Sequence, residues 1–230
     1  MILIGDVHGQ WQTLAERIRD SGVRGQDLIQ VGDFGLGFDN PRREHERLSA
    51  LDGVLSMTEN TLHVIRGNHD NPAYWRPDFP WRRRAIRLLP DYTVATLRGA
   101  KMLFVGGAIS VDRMLRRRNE SYWPDEGLVL DAERLATLDL EGLWAVVTHT
   151  APDLAPPYAF DAVVYPYLAV DHALQEDLVA ERRRATTLYE QVRARTAIPR
   201  WFYGHYHHHA THEHDGTKFA LLDIMEWVEA

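Results

Sequence analysis

Four times along this chain a short apolar run ends in glycine, followed at once by side chains that can bind a metal or carry a proton. The four are Gly5-Asp6-Val7-His8, Gly32-Asp33, Gly67-Asn68-His69-Asp70 and Gly204-His205-Tyr206-His207. A fifth run, Val146-Val147-Thr148-His149, ends in histidine without the glycine. Short apolar runs separated by helical patterns read as buried strands of an α/β fold. In such folds ligands bind beyond the carboxyl ends of strands, and glycine there lets the backbone turn sharply and approach what is bound. Side chains some 200 residues apart are therefore expected to meet at one end of a sheet.

The periodicity between these points predicts strands at 2–4, 28–31, 62–65, 93–97, 102–105, 144–147, 201–203 and 219–222. Helices are predicted at 10–21, with Trp11, Leu14 and Ile18 on one face and Gly22 as its stop, and at 42–57 and 132–138. A long helix is expected over 171–196, its stripe marked by Leu174, Leu178, Ala185, Leu188 and Val192 and its end by Pro199. No internal repeat, low-complexity tract or linker divides the chain, so residues 1–230 are expected to form one domain.

Composition narrows the function. Net charge is −7 and the pI about 5.9, which speaks against binding long nucleic acid, since neutralising a phosphate backbone needs a basic face. A nucleotide or a short nucleic-acid end stays open. There is no cysteine, which removes disulfides, thiolate metal sites and every cysteine-nucleophile phosphatase. The start, Met1-Ile2-Leu3-Ile4-Gly5-Asp6, lacks the basic segment and apolar core of a secretory signal, and no stretch approaches the ~20 apolar residues that span a membrane. The expectation is a cytoplasmic protein with no membrane partner.

Carboxylate, imidazole and amide oxygen together suit first-row divalent ions. Two ions ~3.5–4 Å apart can clamp both oxygens of an in-line displacement and generate hydroxide at neutral pH. The ordered series Asp-x-His, Gly-Asp, Gly-Asn-His-Asp, a lone His and Gly-His-x-His, running from Asp6 to His207, resembles the calcineurin-like metallophosphoesterases. That resemblance implies a fold of two β-sheets flanked by helices and a centre of two divalent metals, Mn foremost, with Fe, Zn, Co or Ni as alternatives. It implies that Asp6, His8, Asp33 and His207 hold the first metal and Asp33, Asn68, His149 and His205 the second, with Asp33 bridging. His69 would stand beside the scissile phosphate as general acid or charge stabiliser, and Asp70 would orient the site from behind the ligands.

One branch of that family, the Ser/Thr protein phosphatases, follows its second Gly-Asp with a further Asp and an Arg. Here the run is Gly32-Asp33-Phe34-Gly35-Leu36-Gly37-Phe38, with Leu36 and Gly37 in their places. The stretch Gly106-Gly107-Ala108-Ile109-Ser110-Val111-Asp112-Arg113, continuing to Tyr122-Trp123-Pro124-Asp125-Glu126, resembles a loop of bacterial and phage members. Because the usual phosphate-binding arginine is missing, another cation is expected to hold the substrate, and Arg113 or Arg117 in this loop are the candidates. The competing reading is that Arg116-Arg117-Arg118 and Arg182-Arg183-Arg184 are solvated faces. His208, His209, His212 and His214 read as a solvated hairpin, and His45, His63 and His172 as structural.

The expectation is a binuclear-metal phosphoesterase in which hydroxide between the metals attacks phosphorus, acting on a small molecule, nucleotide or phosphoprotein, monoester or diester. The alternatives are a catalytically idle binding module on the same fold and a nuclease or nucleotide hydrolase.

Overall fold

The computed structural model describes residues 1–230. In chain order the elements are β1 (Ile2–Ile4), α1 (Trp11–Ser21), β2 (Asp27–Gln30), α2 (Pro41–Met57), β3 (Thr61–Val64), β4 (Ile86–Leu88), β5 (Thr93–Leu97), β6 (Ala100–Val105), α3 (Ala132–Thr137), β7 (Leu143–Thr148), α4 (Tyr165–Leu168), α5 (Leu174–Arg193), β8 (Arg200–Tyr203), β9 (Ala210–His214), β10 (Thr217–Leu221) and β11 (Trp227–Glu229). They build two sheets. One has the order β11-β1-β2-β3-β4, the other β5-β6-β7-β8-β10-β9. Strands β1 to β4 run parallel and β11 antiparallel, while β6, β7, β8 and β10 run parallel between two antiparallel edges.

Successive side chains of a strand face opposite ways, and here both faces are buried. Ile2 and Ile4 point towards α1 and α2, where they join Trp11, Leu14, Ile18, Leu48, Leu51 and Leu55. Leu3, between them, points into the space between the sheets, with Ile29, Val31, Met102, Phe104, Val147 and Phe202. Leu103, Val105, Trp201 and Tyr203 face outward beneath α5, against Ala185, Leu188 and Val192. The result is helices, sheet, sheet, helices, with three apolar layers between them. Such doubly covered strands read as near-continuous hydrophobic runs, which is why the apolar runs were legible.

Three strands escaped the sequence reading. β4 follows an arginine run and is only three residues long, β9 alternates weakly, and β11 is a terminal edge paired to β1. The turn between β9 and β10 is Asp215-Gly216, both at positive φ (49° and 78°), the backbone a tight two-residue hairpin requires. The long helix runs Leu174–Arg193 rather than over 171–196, and Asp171, just before it, pairs with Arg113. Arg182 does not lie on a solvated face: its guanidinium donates to the carbonyls of Pro152, Ala155 and Pro157.

Candidate metal centre

β1, β2, β3, β7 and β8 end side by side, and each delivers its motif there. Ring nitrogens or carboxylate oxygens of Asp6, His8, Asp33 and His207 all lie within 4.8 Å of one another, and so do those of Asp33, His149 and His205. Asp33 belongs to both groups. The Oδ1 of Asn68 is 3.2 Å from His149 Nε2, beside the second group. The seven residues singled out in the sequence as metal ligands are thus brought together.

The arrangement is made possible by glycines with no room for a side chain. A Cβ on Gly67 would lie 2.1 Å from Asp33 Oδ1 and 2.7 Å from His149 Nε2. One on Gly204 would lie 2.2 Å from Asp6 Oδ1, and one on Gly32 2.4 Å from His149 Nδ1. His8, Asp33, His205 and His207 themselves adopt positive φ, between 47° and 72°. Each such residue costs roughly 1–3 kcal/mol, and residues of this kind gather at functional sites.

Hydrogen bonds fix which atoms face inward. His149 Nδ1 donates to Val31 O at 2.8 Å, so Nε2 is the nitrogen that faces the site. Asn68 Nδ2 donates to Ser110 Oγ at 3.1 Å, which aims its Oδ1 the same way. Asp33 Oδ1 accepts from His69 N at 2.7 Å, whereas the buried Oδ2 has no hydrogen-bond partner. His8 Nε2 and His207 Nε2 face each other at 3.0 Å, with Asp6 Oδ2 3.2 Å from His207.

The electrostatics call for positive charge. Burial alone would lower the His149 imidazole, but the charge and hydrogen bond of Asp33, with Asp6, carry it up to about 9. His207 is raised by its hydrogen bond to Asp6. Asp33 is held well below the usual carboxylate range: burial works to raise it, and His149, His69 and His8 outweigh that. His205 is lowered, by burial and then by His149. Buried carboxylates bordered by inward-facing ring nitrogens, an orphaned carboxylate oxygen and a mixed O/N donor set fit divalent cations.

His69 and Asp70 lie behind and beside this centre. Asp70 is fully buried and accepts from Gly35 N and Leu36 N on Oδ1 and from Phe34 N and Gly67 N on Oδ2. It pins the turns that follow β2 and β3 to each other. Burial and the neighbouring Asp33 push its carboxyl up to about 7, against those donors. The His69 ring packs edge-on to His8 and is stacked on Phe38. Burial brings it down to about 4, with Asp33 opposing and Arg116 and His8 assisting; it is neutral at pH 7.

The arginine loop divides differently from expectation. Arg113 is committed elsewhere, with Nε 2.6 Å from Asp171 and Nη2 2.6 Å from Asp177 at the start of α5. Arg117 is exposed and pairs loosely with Glu120. Arg116 is the one that reaches the site: its Nη2 donates to His69 Nε2 at 2.7 Å. The sequence singled out neither Ser110 nor Glu126 nor Arg66 as parts of the site. Ser110 Oγ accepts from Asn68 and from Arg116 Nη1 (3.2 Å), while Ser110 N donates to Glu126 Oε1 at 2.8 Å. Arg66 ties Asp91 to the carbonyls of Asp125, Glu126 and Gly127. The glycines and Glu126 that bound the loop were visible, but nothing in their spacing announces a hydroxyl hub.

Fold and site together define a metal-dependent hydrolase built on two mixed sheets between helices. A family model for calcineurin-like phosphoesterases matches residues 1–209. The chain belongs to that family of metal-dependent phosphoesterases, and its two sheets flanked by helices are the family's α/β fold. Among solved structures it is similar to phosphopantetheinyl hydrolase from Mycobacterium tuberculosis, at 18% identity over 97% of this chain and 89% of that one, with a TM-score of 0.53. A protein from Staphylococcus aureus assigned as a 5′-nucleotidase aligns at 12% identity over 97% of this chain and 48% of that one, with a TM-score of 0.49. No curated protein matches the chain in sequence. No helix is long and apolar enough to cross a membrane.

Proposed function

We propose that the chain hydrolyses phosphate esters using two divalent ions, one held by Asp6, His8, Asp33 and His207 and the other by Asp33, Asn68, His149 and His205. The observation that carries this reading is Asp33: a buried carboxylate that belongs to both ligand groups, with one oxygen lacking any hydrogen-bond partner. Two such ions, Mn foremost, would supply a hydroxide nucleophile at neutral pH and offset the charge that gathers on the phosphoryl oxygens.

The residues of the chain have distinct tasks. Asp33, which belongs to both ligand groups, would be shared by the two ions. Ser110 and Val31 O keep Asn68 and His149 turned inward, so their ordering is settled before substrate arrives. Asp70 holds the 34–36 and Gly67 backbones in register. His69, as a neutral ring beside the cleft with Nε2 accepting from Arg116, can donate a hydrogen bond from Nδ1–H to an oxygen of the substrate and so offset charge that develops there.

Metal analysis after loading with Mn and desalting tests the reading. The expected result is clearly more than one equivalent per chain, with loss of both ions together in Asp33→Asn, and turnover in a panel of phosphomonoesters, diesters, nucleotides and phosphopeptides. Zero or one equivalent in a fully folded protein, or a metal-loaded protein inert to the whole panel, would overturn it.

A further inference from the structure

The centre described so far accounts for metals but leaves the substrate's own charge unattended. Gly37 has no side chain to offer, and its left-handed backbone packs against Asn71. We propose that Arg116, delivered from the loop between β6 and α3, takes over the substrate phosphate, and that it selects phosphomonoesters with a compact organic group. This rests on the phosphoesterase reading above and names the substrate class for it.

Arg116 is built in rather than loosely placed. Its side chain is 10% exposed, and Nε lies 2.7 Å from Asp112 Oδ1. Nη1 donates to Ser110 Oγ and to Ser121 O, at 3.2 and 3.4 Å. Its guanidinium lies over the Phe38 ring, 5.8 Å from the centroid. An arginine that already has its Nε and Nη1 anchored loses little freedom when it binds an anion. Nη2 is the atom nearest the centre, and it spends one N–H on His69 Nε2. Its second N–H has no protein acceptor, which leaves a charged donor for a phosphoryl oxygen. The same hydroxyl of Ser110 that aims Arg116 also aims Asn68, so cation and metal ligand are positioned from one point.

Two observations favour the monoester. A monoester phosphate is a dianion near pH 7, one negative charge more than a diester, and the extra oxygen charge gains most from a fixed guanidinium. The space beside His8 and His69 includes a cleft of about 190 Å³, lined by Gly9, Trp11, Gly35 and Phe38 and edged by the Asp39–Arg47 ion pair. That is below the ~300–1,000 Å³ of sites for drug-sized ligands. Phe38, itself 37% exposed, is stacked on His69 and meets the buried Trp123 edge-on at 5.0 Å. A diester would have to fit its second organic group into the same small cleft.

The test uses the Mn-loaded full chain and two independent readouts. Calorimetric titration with inorganic phosphate should show affinity at least tenfold weaker in Arg116→Ala and Arg116→Gln, with metal equivalents unchanged. Arg116→Lys should recover part of the loss, and Asp112→Asn should weaken phosphate binding severalfold by loosening the anchor. In turnover, Arg116→Ala should lower kcat/KM at least tenfold for p-nitrophenyl phosphate and less than threefold for bis(p-nitrophenyl) phosphate. Arg117→Ala should match the parent in both. Phosphate affinity within twofold of the parent in both neutral variants overturns the proposal. Equal losses on the two esters overturn the monoester assignment, and loss of a metal ion in Arg116→Ala shows that the arginine acts only through Ser110 and Asn68. If the parent hydrolyses nothing, the proposed function fails, and the phosphate titration still decides whether Arg116 is an anion site.

Discussion

Adding one methyl group at Gly67 puts the construction of the centre to a direct trial. The backbone there is not left-handed, so alanine brings no conformational penalty of its own. Its Cβ, however, would lie 2.1 Å from Asp33 Oδ1, 2.2 Å from Asp33 N and 2.7 Å from His149 Nε2. A normal van der Waals approach is ~3.5–4.0 Å, so the turn after β2 must retreat by more than 1 Å. Asp33 N is backbone and cannot swing aside as a long side chain would. Overpacking in close-packed regions costs about 1–3 kcal/mol, and the upper end is expected because two groups obstruct. For a chain of this size 3 kcal/mol is a fall in Tm of about 6–12 °C. Gly53 supplies the counterpart. It lies in α2, is exposed and has nothing within 4 Å of an added Cβ. Gly53→Ala should therefore raise stability by up to about 1 kcal/mol through helix propensity. Thermal melts of both variants, with and without Mn, and metal analysis after desalting make the assay. Gly67→Ala should also lose metal while Gly53→Ala keeps the parent's content. A Gly67→Ala protein that melts with the parent and retains its metal would refute the claim that glycine is there to admit Asp33 and His149.

Other expectations follow from the charges. His149 is protonated at pH 7 because its folded-state value is raised to about 9, so a metal must displace that proton: affinity should rise about tenfold per pH unit up to pH 9. Calorimetry in buffers of differing ionisation heat should count at least one proton released, and no release would sink this. Without metal the same raised value means stability is fully present below the unfolded-state pH of about 6.5 and is lost as pH climbs through 9, on the order of 3 kcal/mol, visible as a falling metal-free Tm. Arg66 is buried and holds Asp91 and three carbonyls, so Arg66→Met should cost about 3–5 kcal/mol; a melt within 2 °C of the parent would mean these contacts are not maintained in solution. His69→Ala should keep both metals, since its ring is not in either ligand group, yet lose about 10²–10³-fold in turnover, the loss typical of removing one charge-stabilising donor. Parent-like rates there would remove His69 from the reaction.

The sequence by itself determined the skeleton and marked the candidate ligand residues. Strands buried on both faces must be apolar at every position, as Ile2-Leu3-Ile4 and Trp201-Phe202-Tyr203 are. Their glycine-and-ligand ends are local facts, written within a few residues. The motif order also carried the family. What only the tertiary structure decided is whichever partner each loop residue takes. Three of the arginines between Arg113 and Arg117 look alike in sequence, but Arg113 is claimed by Asp171 and Asp177, 58 and 64 residues away on the approach to α5. Arg117 turns to solvent, and only Arg116 is left to face His69. The same holds for Ser110, whose value lies in standing between Asn68 and Arg116, and for β11, a strand because β1 has a free edge beside it. Periodicity reports burial, which is a property of a run of residues. A charged side chain in an irregular loop is placed by pairwise contacts across the fold, and no local pattern encodes them.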